Sequence, residues 1–265
     1  MLTYLLVITL ITCTTVAFLV WFNHPNHACK KINPDFKKTL FIYPHPDDET
    51  IFSGGTIALF CLQNKDNVFI VSVTSGQRGD EKLKISESQL KKVRTREFIK
   101  AMGVLGAKNY QVWKFMDGET EKDELKIEQK IRQFIEDHNI ERLVTYEKYG
   151  VYGHPDHICI SKICTKVAED KEAEIWYATL PDKILRLSSL PSEIKYKDKK
   201  IQLSPQKVVD PNHYINIFSL ALLWRKYKAA SKYKSQVLSK RFPLWVTILS
   251  NWKEYYYIKT YKKNH

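Results

Sequence analysis

From residue 39 onward, short apolar runs alternate with segments of helical period, and this alternation limits the fold more than any other feature of the chain. The runs Thr39–Tyr43, Val68–Thr74, 110–115, Arg142–Tyr146 and Glu174–Thr179 read as strands. Helical patterns separate them at 55–63, Glu87–Leu105 and 125–138, and another opens near His154. In the second of these, Leu90, Val93, Phe98, Ala101, Met102 and Leu105 fall at helical spacing. Strands divided by helices imply βαβ units and hence an α/β fold with a mainly parallel sheet flanked by helices. Beyond 181 the pattern weakens into Pro, Ser and Lys, which reads as a loop region to 207. A last short strand is expected at 207–210 and a helix at 214–237. The chain has no internal repeat.

The first run ends in Tyr43-Pro44-His45-Pro46-Asp47-Asp48-Glu49-Thr50, ahead of Gly54-Gly55 and an apolar segment reaching Leu62. Open α/β sheets bind ligands at the carboxyl ends of their strands, so a His and two Asp at this turn are placed for chemistry. His45 and Asp48 lie three positions apart, and imidazole with carboxylate is a zinc set short of one ligand. A second cluster, His154-Pro155-Asp156-His157, again follows a strand and heads a helix. Alone, a His near a helix start reads as a cap or an exposed residue. The two clusters together, on alternating strand and helix patterns, favour a site.

The pair PHPDDE and HPDH resembles the GlcNAc-phosphatidylinositol de-N-acetylase family, the LmbE-like zinc-dependent deacetylases, whose first motif usually reads AHPDDE. The likeness continues through Ser75-Gly76-Gln77-Arg78-Gly79, Arg96-Glu97 with Leu105-Gly106, Asp117-Gly118 and Ser235-Gln236. It implies a Rossmann-like α/β fold and a catalytic Zn2+ on His45, Asp48 and His157. By the same resemblance Asp47 is the general base, and His154, held by Asp156, is an imidazole made basic enough to be cationic beside the developing oxyanion. Tyr152 matches a tyrosine that polarises the amide carbonyl, with Tyr146 and Tyr149 near enough to substitute. Arg78, Arg94 and Arg96 could meet substrate hydroxyls or a phosphate, or simply lie on the surface of a basic protein. Gln77 stands where the family often has Glu and Pro44 where Ala is common. The first change leaves the metal set intact but bears on substrate hydrogen bonding.

The 265 residues suffice for one sizeable core, and 44% hydrophobic residues with only 9 Gly and 10 Pro exclude a disordered or fibrous chain. Leu2 to Phe22 carries no charged side chain and matches the roughly 20 residues of a bilayer-spanning helix. A cleaved signal peptide is the rival reading, but no basic n-region and no small-x-small site before His24 support it. Lys30, Lys31, Lys37 and Lys38 follow the segment and nothing basic precedes it, which places the following domain in the cytoplasm. Five cysteines, one in the apolar segment and two on one helical pattern, do not form a disulfide framework.

Most of the net charge of +13 lies after Ser219, where eleven Lys and Arg face only Glu254 among Phe242, Leu244, Trp245, Trp252 and Tyr255 to Tyr257. Such a stretch suits an anionic membrane surface or nucleic acid, or is a solvated basic face. With an apolar segment at the other end, a membrane is favoured over nucleic acid. The expected organisation is a membrane anchor at 1–23, a linker at 24–38, a deacetylase domain at 39–238 and a basic aromatic tail at 239–265. The expected reaction is removal of acetyl from an N-acetylamino sugar, soluble or lipid-linked, by a single-pass membrane enzyme. The alternative is a membrane-tethered basic protein that binds nucleic acid or anionic lipid and keeps a vestigial metal site. Vestigial sites lose a ligand or a base, whereas every position is filled here.

Overall fold

The computed structural model describes residues 1–24, 29–35, 37–79, 83–187, 193–196, 199–203, 207–238, 243–249 and 251–261. Their elements in chain order are α1 (Leu2–Phe22), β1 (Lys30–Lys31), β2 (Thr39–Tyr43), α2 (Asp48–Asn64), β3 (Val68–Thr74), α3 (Glu87–Leu105), β4 (Asn109–Phe115) and α4 (Glu124–His138). Next come β5 (Arg142–Tyr146), the single turn α5 (Gly150–Gly153), α6 (Pro155–Asp170), β6 (Glu174–Thr179), α7 (Asp182–Leu187), β7 (Glu193–Tyr196) and β8 (Lys199–Gln202). The chain closes with β9 (His213–Asn216), α8 (Leu220–Ala230), α9 (Leu244–Leu249) and β10 (Lys253–Thr260).

Eight strands form one sheet in the order β1-β9-β10-β6-β5-β2-β3-β4, and the run from β6 to β4 is parallel throughout. Within that run the chain builds outward from β2 to β4 on one side, then returns to place β5 and β6 on the other. The order reverses between β2 and β5, which is where an open α/β sheet leaves a crevice beyond its carboxyl edge. Both motifs emerge there, one after β2 and the other after β5.

Alternation along β2 divides the core into two layers. Phe41 and Tyr43 pack with α2, α3 and α8 on one face, and Leu40 and Ile42 with α4 and α6 on the other. The helices carry their own punctuation: Ser86 and Gln89 form a reciprocal capping box at the start of α3, and Gly106 ends it with φ 85°. On α2, Gly55 answers to a close approach, since a Cβ there would lie 2.5 Å from Cδ1 of Ile217.

The C-terminal region differs from expectation. Residues set apart as a tail contain β10, which lies antiparallel between β6 and β9. Tyr255 and Tyr256 are core residues, and buried Glu254 accepts from the Gly55 and Thr56 N–H groups of α2 and from Nζ of Lys226 at 2.6 Å. A charged strand is tolerated because each buried charge has a partner. Lys226 is therefore not part of a basic surface, while Lys240, Arg241, Phe242, Lys262, Lys263 and His265 lie outside the described residues. The linker at 24–38 is partly docked: β1 pairs with β9, and Asp35 binds buried Arg142 at 2.6 Å.

The region 181–207 holds α7 and the hairpin β7–β8, with 188–192, 197–198 and 204–206 outside the described residues. No strand forms at 207–210. It lies instead at β9, and the helix expected from 214 begins only at Leu220. The cysteines are all free. Helix α1 is long and apolar enough to cross a membrane, and its span is not buried against the rest of the chain.

Candidate metal centre

Beyond β2 the chain turns sharply, and Asp47 takes φ 104°, a left-handed value that is strained for a residue with a side chain. The turn returns His45 and Asp48 toward each other: the His45 N–H donates to Oδ2 of Asp48 at 2.9 Å. Oδ2 also lies 3.3 Å from Nδ1 of His45 and 3.5 Å from Nε2 of His157 at the head of α6. The three ligand atoms all fall within 4.8 Å of one another. Two ligands of a tetrahedral ion with bonds of about 2.0–2.2 Å stand about 3.3–3.6 Å apart, so both measured spacings are those of neighbouring ligands.

Each donor is held from behind. His157 Nδ1–H donates to the Gly150 carbonyl at 3.2 Å, and its ring stacks on Tyr146 at 4.2 Å between centroids. That bond fixes the tautomer that leaves Nε2 unprotonated, in keeping with burial pushing the His157 pKa down to about 4. Nε2 of His45 sits 3.1 Å from both Asp117 and Asp156, which leaves Nδ1 facing Asp48. Burial opposes a charge on His45, but the adjoining carboxylates, Asp117 foremost, raise its pKa well above the ordinary value. A metal ion binding there would displace the Nδ1 proton. The Tyr146 hydroxyl donates to Oδ1 of Asp48 at 2.8 Å. Burial raises the Asp48 pKa, yet the neighbouring His157 and His45 outweigh it and hold the group below the usual carboxylate range. Two imidazole nitrogens and one carboxylate oxygen, backed in this way, fit a divalent ion with an open coordination position.

Asp47 stands beside this set. Its Oδ2 accepts from Nη2 of Arg94 at 3.1 Å, and its N–H donates to Glu49 Oε2 at 3.1 Å. Burial raises its pKa to about 8, against the pull of Arg94 and with the help of Asp48 and Glu49. Arg94 is 3% exposed and also donates to the carbonyls of Gly76 and Pro46. A Cβ on Gly76, whose φ is +59°, would meet the guanidinium at 2.1 Å, so only glycine lets Arg94 through.

Residues 40–168 match the family model described as PIG-L, GlcNAc-PI de-N-acetylase. The chain carries a PIG-L-family domain. A probable N-acetylglucosaminyl-phosphatidylinositol de-N-acetylase of Schizosaccharomyces pombe is 28% identical over 167 residues, which are 59% of this chain and 61% of that protein. The 1D-myo-inositol 2-acetamido-2-deoxy-alpha-D-glucopyranoside deacetylase of Saccharomonospora viridis is 30% identical over 161 residues, 50% of this chain and 58% of the relative. The chain thus spans less than two thirds of either relative. Among solved structures, the N,N'-diacetylchitobiose deacetylase of Pyrococcus horikoshii superposes with a TM-score of 0.64 at 21% identity, covering 85% of each chain. That likeness establishes the fold.

Within the PIG-L domain, His154 and Asp156 lie together at the head of α6. The Asp156 backbone N–H donates to Nδ1 of His154 at 3.1 Å, with His154 capping α6, and the His154 ring and Asp156 carboxylate also present ligand atoms within 4.8 Å of each other. The Asp156 carboxylate reaches His45, the Gly118 N–H at 2.7 Å and the Thr120 hydroxyl at 2.8 Å, fastening the loop after β4. Nδ1 of His154 accepts the backbone bond, and burial pushes the His154 pKa down to about 3 against the opposing pull of Asp156 and Asp117. The ring stacks on His157 at 4.7 Å.

Tyr152 follows a backbone reversal at Gly150 and Val151, φ 64° in each, and its hydroxyl lies 3.4 Å from Nε2 of His157. Of its two substitutes, Tyr146 is committed to Asp48 and Tyr149 points outward, 37% exposed beneath Lys148. Arg78 is engaged by Glu119 at 2.9 Å, and Arg96 is exposed on α3. Sequence reasoning gave no role to Asp117 and offered Tyr146 only as a stand-in for Tyr152. Their signal was positional, since each closes a parallel strand or lies just past one at the carboxyl edge.

Proposed function

We propose that this chain is a zinc-dependent N-deacetylase that removes acetyl from an N-acetylamino sugar at a membrane surface. The observation that carries the reading is the convergence of the His45, Asp48 and His157 donor atoms, with Asp48 3.3 and 3.5 Å from the two imidazoles and all three within 4.8 Å, and with the Asp47 carboxylate beside them. Two nitrogens and one oxygen with a fourth position open are the donor set of catalytic zinc. A divalent ion held there supplies Lewis acidity toward the acetamide oxygen and the attacking water. Ionised by Arg94 and by the positive charge of an ion held beside it, Asp47 takes a proton from that water as it attacks the acetamide carbon, and returns it to the sugar nitrogen as the C–N bond breaks. Acetate and a free amine are the products. Arg94 fixes the Asp47 carboxylate in place. The Tyr152 hydroxyl and the Nε2–H of His154 donate to the carbonyl oxygen as negative charge gathers on it. Asp156 and Asp117 position His45 and take no direct part.

The substrate class is taken from the relatives, whose names specify N-acetylglucosamine joined to inositol or phosphatidylinositol. The apolar α1 supports a lipid-linked form, with α1 as an uncleaved single-pass anchor and the domain on the cytoplasmic face. Protease treatment of sealed vesicles bearing tags at both termini tests that orientation, and digestion of a C-terminal tag in intact cells overturns it.

The reaction is tested by metal analysis of the purified chain and mass spectrometry of GlcNAc-phosphatidylinositol after incubation. The expected result is bound zinc and loss of one acetyl group. Asp47→Asn should retain the zinc and lose turnover by about 10²–10⁴-fold. Full turnover in that variant would remove Asp47 from the reaction.

A further inference from the structure

Helix α1 ends at Asn23, which is 1% exposed and fastened to β10: its Oδ1 accepts the Trp252 N–H at 2.9 Å, and its carbonyl accepts from Nζ of Lys253. The register decides which edge of the sheet this is. Tyr146 pairs with Ala178, and Ala178 with Tyr256, so the carboxyl ends of β5 and β6 lie level with the fourth residue of β10. Because β10 runs the opposite way, its first residue, Lys253, projects beyond the carboxyl edge of the parallel strands. Asn216, the last residue of β9, is paired with Lys253. The apolar helix therefore leaves the domain on the edge that holds His45, Asp48 and His157. Laterally β10 is two strands from β5, about 10 Å at the usual strand spacing.

Exposed apolar side chains lie on the elements that adjoin this exit. Phe218 is 68% exposed, with its ring edge-on to Trp252 at 5.1 Å. Leu220 and Trp224, 90% and 52% exposed, are one turn apart on the outer face of α8, and Lys228 reaches over the Trp224 ring. Trp245, 55% exposed, is on α9, which packs against α8 and leads into β10. Single exposed apolar side chains are ordinary, but four on adjoining elements beside an apolar helix are the mark of an interaction surface.

We propose that Phe218, Leu220, Trp224 and Trp245 seat the domain in the interfacial zone of the leaflet from which α1 emerges, and so turn the carboxyl edge and its metal centre toward the bilayer. The occupant is a membrane because the patch adjoins an unburied helix of membrane-spanning length, and because Trp with neighbouring Lys is the chemistry of that zone. The proposal rests on the anchor reading of α1 and not on the deacetylation chemistry.

The test uses the full chain in phosphatidylcholine vesicles whose acyl chains carry bromine either near the headgroup or near the methyl end. Shallow bromine should quench tryptophan emission more than deep bromine does at Trp224 and Trp245. Trp224→Phe and Trp245→Phe should each remove about a quarter to a third of the quenched emission, the remainder coming from exposed Trp21 and half-buried Trp252. Trp113→Phe, at a buried position, should remove none. A quenched fraction equal to wild type in both outer variants, with unchanged circular dichroism, overturns the proposal. So does emission that ignores bromine but changes with protein density, the sign of a second copy covering the face. Quenching needs no turnover, so a chain that is quenched as expected but deacetylates nothing would count against the reaction alone.

Discussion

Replacing Glu254 with Gln measures how far the C-terminal strand belongs to the core. Glu254 and Lys226 are 2.6 Å apart with side chains 2% and 4% exposed, so neither charge has water to fall back on. Glu254 also accepts the Gly55 and Thr56 N–H groups and the Thr56 hydroxyl. A Gln oxygen can keep some of these bonds, but its amide hydrogens must face other donors, and the Lys226 ammonium is left buried without a counter-charge. Breaking a buried pair in this manner costs about 3–5 kcal/mol. At about 2–4 °C per kcal/mol for a chain of this size, the melting temperature should fall by about 6–20 °C. Urea and thermal unfolding of the full chain in detergent read this directly. The double variant Lys226→Met with Glu254→Gln should recover most of the loss, since it removes the orphaned charge as well. A single variant within about 1 kcal/mol of wild type, as for an exposed pair, would refute the core assignment of β10 and restore the tail reading.

Tyr146→Phe removes the hydroxyl that orients Asp48 but keeps the ring against His157. Metal affinity should fall about 10–100-fold in a chelator competition, with stability little changed, and an unaltered affinity would exclude Tyr146 from the centre. Gly55→Ala forces a methyl to 2.5 Å from Ile217 and should cost about 1–3 kcal/mol in denaturant unfolding. In an Ile217→Ala background that penalty should shrink, and strict additivity of the two substitutions would contradict the contact.

The parallel part of the sheet was legible because its central strands β2, β3, β5 and β6 are buried on both faces and read as largely apolar runs between helices. β2, β3, β5 and β6 occupy the expected residues, and β4 begins one earlier. Beyond residue 181 the same rule fails. β10 carries Lys at its start and near its end, with Glu second, so its sequence looks charged and surface-bound. Partners on α8 and α2 make the Glu acceptable in the core, and both helices are distant in sequence. β9 is four residues long with a half-exposed burial pattern, too short for periodicity to detect.

For the site, local sequence supplied the residue types, but the distances between them come from strand order. His45 and His157 are 112 positions apart, and nothing in either motif says that the strands before them are neighbours. They become neighbours because the chain extends the sheet from β2 in one direction and then resumes on the other side, which opens the crevice between β2 and β5. The same step explains Asp156. Its place in HPDH suggests service to the adjacent His154, yet the first turn of α6 aims its carboxylate across the crevice at His45 and at the loop after β4. That loop brings Asp117 to the same imidazole. His45, the candidate ligand from the first motif, is thus oriented by a carboxylate from the second and another from the loop after β4, so a defect in the packing of either β4 or α6 should reach the candidate metal centre through His45.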